Sequence, residues 1–121
     1  MATPRKTVAV VDDDPSMLRA TENLLDAHGF ATVGFLSAEQ FLARTPTLKI
    51  DFLLLDIDLG GISGIELHER LKTSGSSIPV IFMTAIDDVE TLDRARRSGC
   101  VDCLRKPFPS YQLIAAIAKS A

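Results

Sequence analysis

Acidic side chains follow directly after two apolar segments of the chain. The segment TVAVV is followed by Asp12, Asp13 and Asp14. The segment FLLL is followed directly by Asp56, and Asp58 comes two residues later. If folding brings these carboxylates together they repel one another, and a hard divalent cation relieves that repulsion. Oxygen ligands of this kind suit Mg2+, which takes only a few carboxylates and completes its coordination with waters and phosphate oxygens. The residue types therefore predict a magnesium site that also receives a phosphoryl group.

Two more residues extend this chemistry. Thr84 ends the apolar segment IPVIFMT, and its hydroxyl can donate to a phosphate oxygen, while Lys106 follows VDCLR and can neutralise phosphate charge. A carboxylate can itself be the nucleophile and form an aspartyl phosphate. Asp56 is the best candidate because it ends the most apolar segment, so the core fixes its position. Asp13 is then expected to bind the metal directly, and Asp12 to contact it from the outer coordination shell or through water. The backbone carbonyl of Asp58 is a further candidate ligand.

The elements that must position these residues alternate regularly between strand and helix. Apolar runs at 7–11, 30–35, 52–55, 78–85 and 101–105 predict strands, and amphipathic runs at 15–28, 37–45, 65–75, 88–98 and 110–121 predict helices. Asp87 is expected to cap the fourth helix. Such alternation predicts a parallel sheet with helices on both faces. All strand ends then meet at one edge, where ligands bind in folds of this type.

Composition limits the class of protein. The chain has 121 residues, is 46% hydrophobic and 24% charged, and carries a net charge of −3, so we expect one globular domain over residues 1–121. This charge gives no basic footprint for direct contact with nucleic acid. No apolar run reaches the roughly 20 residues of a membrane span, and the N-terminal one is too short for a signal peptide. A cytoplasmic protein without a membrane segment is the expectation.

Several other residues that could do chemistry have plainer interpretations. Cys100 and Cys103 form a lone CVDC, which we interpret as two small apolar side chains, because a zinc site needs more ligands and a redox pair usually opens a helix. His68 has charged neighbours on a predicted helix and is expected at the surface. The arginine-rich segment 94–97 is interpreted as a solvated helix face, with part of a partner surface as the alternative.

Four motifs together carry a resemblance to a known family. VVDDDP (10–15), LLLDIDLGGISG (53–64), PVIFMTA (79–85) and GCVDCLRKPF (99–108) occur in the order and at the distances typical of receiver domains of bacterial two-component response regulators. The sequences of these motifs resemble those of receivers that carry a C-terminal helix-turn-helix output domain. The resemblance implies a doubly wound, flavodoxin-like, five-stranded parallel sheet in the strand order 2-1-3-4-5. It also implies a phosphorylation-activated switch in transcription regulation rather than an enzyme, beyond assisting its own phosphotransfer and autodephosphorylation.

The resemblance assigns a role to each matched residue. Asp56 would accept phosphate from a sensor histidine kinase, and Asp12 and Asp13 would hold Mg2+ together with Asp56 and the backbone carbonyl of Asp58. Lys106 would pair with the phosphate, and its bond to Pro107 would be cis. Thr84 would be the switch hydroxyl, and the small Ala85 would leave room for the phosphoryl group.

The signal would leave through a surface that we call the output face, formed by residues 87–98, 101–104 and 110–119. A partner or a second copy of the chain could dock there, and Leu113, Ile114 and Ile117 give the last helix an apolar stripe. Two departures from the family bear on this output. Gly60 stands where proline is common, which predicts a looser loop, and Cys103 replaces an aromatic side chain that normally moves with the switch threonine, which predicts weak coupling.

Two rival functions use parts of the same pattern. LLLDIDLGG also resembles the first motif of haloacid-dehalogenase-type phosphatases, in which an aspartate is the nucleophile. That family places its acidic pair after the lysine, whereas Asp12 and Asp13 open this chain. A flavodoxin-type flavin module needs a first loop rich in serine, threonine and glycine to cradle phosphate. The loop of three aspartates at 12–14 would instead repel a bare phosphate.

Overall fold

The computed structural model describes residues 5–44, 49–85 and 87–120, without the side chain of Ser120. Strands and helices alternate through these residues, as the sequence predicts. The strands are β1 (Thr7–Val11), β2 (Ala31–Phe35), β3 (Phe52–Asp56), β4 (Val80–Thr84) and β5 (Asp102–Arg105). The helices are α1 (Pro15–Ala27), α2 (Ala38–Arg44), α3 (Gly64–Thr73), α4 (Val89–Arg97) and α5 (Ser110–Ser120).

All five strands are parallel and form one sheet in the order β2-β1-β3-β4-β5, which confirms the predicted topology. β3 lies in the centre, with Leu54 opposite Val10 of β1 on one side and opposite Ile81 of β4 on the other. Because every strand runs the same way, the residues that follow the strands share one edge of the sheet.

The two faces of the sheet are covered by different helices. Leu53 and Leu55 pack into a core with residues of α2, α3 and α4, whereas Leu54 between them packs with residues of α1 and α5. All five residues of β3 are buried, which explains why its sequence does not alternate between apolar and polar. The central strand is therefore fixed from both sides up to its last residue, Asp56.

Short polar side chains begin the helices. Asp14 caps α1, accepting from the backbone N–H groups of Ser16 (3.0 Å) and Met17 (3.3 Å), with Pro15 in the first turn. Ser63 caps α3 by accepting from the N–H of Glu66 at 3.2 Å. The predicted capping of α4 by Asp87 is wrong, because the residue in the cap position is Asp88.

His68 lies in the core and not at the surface, which corrects the sequence-based expectation. Only 4% of the residue is exposed, and its ring packs edge-on against Phe82 of β4, with the ring centres 5.6 Å apart. Its charged neighbours Glu69 and Arg70 are exposed to solvent. Within the described part of the chain, no helix has the length and apolar character needed to cross a membrane.

Candidate functional site

The ends of β1, β3 and β5 bring three charged side chains into direct contact. Lys106 Nζ donates to Asp12 Oδ2 at 2.8 Å and to Asp56 Oδ2 at 2.9 Å, although these residues are 94 and 50 positions away along the chain. The Asp12 side chain is fully buried and that of Asp56 is 6% exposed. One cation thus holds two buried carboxylates at the sheet edge.

The burial of this group sets its protonation behaviour. Burial raises the pKa of Asp56 to about 6, against the opposing effects of the hydrogen bonds from Lys106 and from the backbone N–H of Asp58. Burial alone would lower the pKa of Lys106, but its hydrogen bonds to Asp12 and Asp56, together with the charges of these carboxylates, outweigh that effect and raise the pKa. At neutral pH the lysine is therefore a cation, and most Asp56 side chains are ionised and able to act as nucleophiles.

Three carboxylates lie close enough to share a metal ion. One oxygen from each of Asp12, Asp13 and Asp56 falls within 4.8 Å of the others, and Asp13 is the exposed member of the set. An all-oxygen donor set open to solvent on one side fits Mg2+, which retains waters and takes phosphate oxygens in its remaining positions. Bound there, Mg2+ would neutralise the charge of an incoming phosphoryl group.

The cluster opens into a cavity of about 370 Å3 at the sheet edge. Its lining is formed by Asp12, Asp13, Asp14, Met17, Asp56, Asp58, Ala85 and Lys106. The side chain of Asp58 is exposed, while its backbone N–H donates to Asp56 Oδ1 at 2.9 Å. The loop after β3 therefore curls back over the carboxylate that precedes it. Every predicted acidic residue thus lies at this cavity, and Asp14 serves as the α1 cap as well.

Thr84 and Lys106 are joined through the backbone of adjacent strand ends. The N–H of Lys106 donates to the carbonyl of Thr84 at 2.8 Å, and Thr84 is fully buried at the last position of β4. Ala85 follows at the cavity wall. The bond between Lys106 and Pro107 is cis, as the resemblance implies. The two residues that the sequence proposes for phosphate contact are therefore neighbours beside Asp56.

Gly64 is a site-forming residue that the sequence analysis left without a role. A Cβ atom at this position would lie 2.3 Å from the carbonyl oxygen of Asp56, closer than real contacts permit. The N–H of Gly64 also donates to the carbonyl of Ile57 at 3.0 Å. The first turn of α3 thus packs directly on the backbone of Asp56. A glycine just after the Ser63 cap, at the start of a helix, is the sequence signal of this close approach.

Comparison with known proteins identifies the family to which this geometry belongs. Residues 8–118 match the family described as response regulator receiver domain. The chain is a member of this family. This receiver domain carries the acidic cluster of Asp12, Asp13 and Asp56 at the carboxyl edge of its sheet. The family match gives no support to the phosphatase alternative.

Named relatives and solved structures agree with this assignment. The chain is 36% identical over 115 residues to the transcriptional regulatory protein FixJ of Bradyrhizobium diazoefficiens, covering 95% of this chain and 56% of that protein. It is 37% identical over 116 residues to nodulation protein W of the same organism, covering 96% of this chain and 51% of that one. The receiver thus spans about half the length of these relatives.

The fold agrees closely as well. A crystal structure described as FixJ-N superposes with a TM-score of 0.89 at 33% identity, covering 98% of this chain and 94% of that one. Full-length FixJ from B. japonicum gives a TM-score of 0.88 at 35% identity, covering 98% of this chain and 60% of that one. The parallel sheet and its strand order are therefore those of the family.

Proposed function

We propose that this receiver domain is phosphorylated on Asp56 by a sensor histidine kinase and relays that event through the output face. The observation that carries the proposal is the position of Asp56. Its carboxylate is held by Lys106 on one oxygen and by the backbone N–H of Asp58 on the other, at the wall of a cavity that Asp12 and Asp13 also line. A carboxylate held this way is oriented before the reaction begins.

The transfer itself needs little movement of the protein. A carboxylate oxygen of Asp56 attacks the phosphorus of a phosphohistidine, the P–N bond breaks, and its electron pair returns to the imidazole nitrogen. Asp12, Asp13, Asp56 and the carbonyl of Asp58 would hold Mg2+, and Lys106 would exchange a carboxylate contact for one with the phosphoryl group. Hydrolysis of the acyl phosphate at the same open cavity would return the domain to its resting state.

The proposed switch connects the new phosphoryl group to α4. Thr84 would turn its hydroxyl toward the phosphate and carry the loop after β4 with it. Asp87 in that loop forms an ion pair with Arg105 of β5 at 2.8 Å, with both side chains more than half exposed. Exposed pairs of this kind are worth only about 0–1 kcal/mol, so the loop can leave this position at small cost.

The output face carries many charged side chains and few exposed apolar ones. Leu113 and Ile117 of α5 are buried in the core, and Ile114 is half-buried, so only part of the apolar stripe remains for a partner. Val89 and Tyr111 are instead the exposed apolar side chains, each at 69%. We therefore expect docking on this face to depend mainly on α4.

The charges of α4 suit pairing with a second copy of the chain. Its first half carries the acidic Glu90 and Asp93, and its last turn carries the basic Arg94, Arg96 and Arg97. Two such helices lying antiparallel would bring the acidic half of each against the basic half of the other. We propose that phosphorylation favours this dimer in the cytoplasm, with residues 1–121 forming one receiver domain that controls a DNA-binding output domain of a longer protein.

The metal ligands can be tested without phosphate. Asp13→Asn should weaken Mg2+ binding at least tenfold in calorimetric titration, because it removes a charged ligand. Asp14→Asn is the matched control, since asparagine also caps helices well and Asp14 is not among the three clustered carboxylates. If Asp13→Asn binds Mg2+ as tightly as Asp14→Asn does, Asp13 is not a ligand.

The switch can be separated from phosphate uptake. Thr84→Ala should accept label from a phosphorylated kinase to nearly the wild-type extent, because Lys106 and the N–H of Asp58 donate the hydrogen bonds that orient Asp56. It should lose most of the phosphorylation-dependent association measured by analytical ultracentrifugation. Thr84→Ser retains the hydroxyl and should restore association. Equal association of the wild type and Thr84→Ala would contradict the proposed role of Thr84.

A further inference from the structure

The C-terminal end of α4 is tied to α3 by a compact set of hydrogen bonds. His68 Nδ1 lies 3.0 Å from Ser98 Oγ, and the Ser98 hydroxyl lies 2.6 Å from the carbonyl of Ala95. A carbonyl can only accept, so the serine proton is used there and His68 must donate from Nδ1. Lys72, one turn further along α3, donates from Nζ to the carbonyl of Ser98.

This contact lies inside the protein. Ser98 is 7% exposed and His68 is 4% exposed, with the imidazole packed against Phe82 in the middle of β4. Burial lowers the pKa of His68, and the charge of Lys72 adds to that effect more strongly than Glu69 opposes it. The imidazole is therefore neutral at physiological pH, and its hydrogen bond to Ser98 is shielded from water. Inside the protein, leaving such a donor without an acceptor is costly.

Among the residues that the structure describes, the N-terminal end of α4 shows no comparable attachment to a neighbouring helix. Asp88 occupies the cap position but makes no side-chain hydrogen bond to the backbone, and its carboxylate accepts from Thr91 Oγ1 at 2.8 Å instead. Val89 in the first turn is 69% exposed, and the only residue of α4 that is buried is Ala95, near the other end. The N–H groups of the first turn therefore receive no hydrogen bond from the side chain of Asp88.

We propose that His68 and Lys72 make the C-terminal end of α4 a fixed pivot, so that signalling swings residues 89–93 and leaves residues 95–98 in place. The inference rests on the proposed function for the trigger, because the swing would begin in the loop that joins Thr84 to α4. The pivot itself is a property of the resting domain. His68 is thus a positioning residue that acts through Ser98.

The resting domain allows a direct test with a matched control. Ser98 and Ser74 are both C-terminal cap residues, and each hydroxyl donates to the carbonyl three residues earlier, Ser74 to Leu71 at 2.8 Å. Only Ser98 also accepts from a histidine of a neighbouring helix. Ser98→Ala should therefore speed amide exchange in residues 95–99 about fivefold or more by NMR, the effect of losing a typical hydrogen bond. Ser74→Ala should change residues 71–75 clearly less.

A second variant separates the hydrogen bond from the packing. His68→Phe keeps a ring against Phe82 but removes the donor, so it should reproduce the exchange pattern of Ser98→Ala. If both variants leave residues 95–99 as protected as in the wild type, the pivot does not exist. Lys72→Met keeps the apolar stem but removes the hydrogen bond to the carbonyl of Ser98, so it should speed amide exchange in residues 95–99 further when added to Ser98→Ala. Arg70→Met is the control, because it removes an ion pair with Glu66 on the same helix and should not add to the exchange rate.

The swing is tested with beryllofluoride, a stand-in for the phosphoryl group, and Mg2+. In the wild type, amide exchange should change in residues 89–93 and remain unchanged in 95–98, while in Ser98→Ala with Lys72→Met the change should spread to 95–98. Equal change along the whole of α4 in the wild type would overturn the pivot. Failure of beryllofluoride to bind would count against the proposed function alone, and the resting-state exchange would still decide the pivot.

Discussion

α3 and α4 pack on the same side of the sheet, but they are attached to it very differently. α3 buries five residues, begins with a serine cap bonded to the backbone, and rests its first turn on the carbonyl of Asp56. α4 buries Ala95 and has no such cap bond. The helix beside the nucleophile is thus built into the core, whereas the helix that carries the output charges is held mainly at one end.

This difference suits a switch. A site that captures a phosphoryl group needs its ligands held in place before the reaction. An output element needs two arrangements of similar energy, so that a few new contacts can shift the population between them. Segments with little buried surface meet the second need, because they open at a small fraction of the global stability. On the proposed function, the domain therefore separates a closely packed phosphoacceptor edge from an output helix that is attached mainly at one end.

The largest expected effect tests how firmly α3 is attached at the site. Gly64→Ala would place a Cβ atom against backbone at Asp56, which cannot move aside as a flexible side chain can. We expect it to lower the free energy of unfolding by about 3 kcal/mol, as overpacking of a core does. Urea denaturation measures this. Gly60→Ala is the control, because no atom lies within 4 Å of its Cβ position. Similar midpoints for the two variants would show that α3 is not packed as closely as described.

The next effect tests the rigid edge through its cation. Lys106→Met removes the cation that pairs with the buried carboxylates of Asp12 and Asp56 and leaves each, among the described residues, with only a backbone N–H. We therefore expect a loss of about 2 kcal/mol at pH 7 in metal-free protein. With a pKa near 6, Asp56 in the folded protein is mostly protonated at pH 5, so the loss should be smaller there. Mg2+ should recover part of the stability by mass action.

The control for this prediction is another lysine in an ion pair. Lys119 pairs with Asp102 at 3.2 Å, but the lysine side chain is 62% exposed. Lys119→Met should change the free energy of unfolding by less than about 1 kcal/mol. An equal loss for the two lysine variants would mean that the cluster at the sheet edge gains nothing from burial.

The smallest expected effect is a change in the reactivity of Cys100 and Cys103, which report on how firmly α4 is attached. Both are free, burial raises the pKa of Cys103, and burial together with the nearby Cys103 raises the pKa of Cys100 to about 11. Both should therefore react slowly with iodoacetamide at pH 8 and faster as the pH rises. With beryllofluoride and Mg2+ bound, Cys103 should react severalfold faster, while Cys100, just after the anchored end of α4, should not. Equal acceleration of both thiols would contradict a one-ended attachment.

Much of this structure follows from local patterns in the sequence. Strictly apolar strands that stop at an aspartate, and helices that begin after Asp14 and Ser63, determine the alternation and hence the edge at which the charges meet. The burial of Asp56 follows from the same run. These features depend on neighbours along the chain, so the sequence alone contains the information that determines them.

The features that the sequence did not predict depend on contacts between distant segments. His68 is flanked by charged residues, and only its three-residue spacing from Ile65 and Leu71 indicates that it shares their buried face. Its partner Ser98 lies 30 residues away. Likewise, Asp87 and Asp88 are equally good caps by type, but Asp88 occupies the cap position, while Asp87 pairs with Arg105 of β5. Such choices are made by the tertiary structure.

The central claim is that Asp56 receives the phosphoryl group, and intact mass measurement with acetyl phosphate and Mg2+ tests it most directly. The wild type should gain a single phosphoryl group that is lost in base, and the gain should disappear when Mg2+ is chelated. Asp56→Asn should gain none under the same conditions, whereas Asp14→Asn should behave as the wild type. Uptake by Asp56→Asn to the wild-type extent would contradict the account.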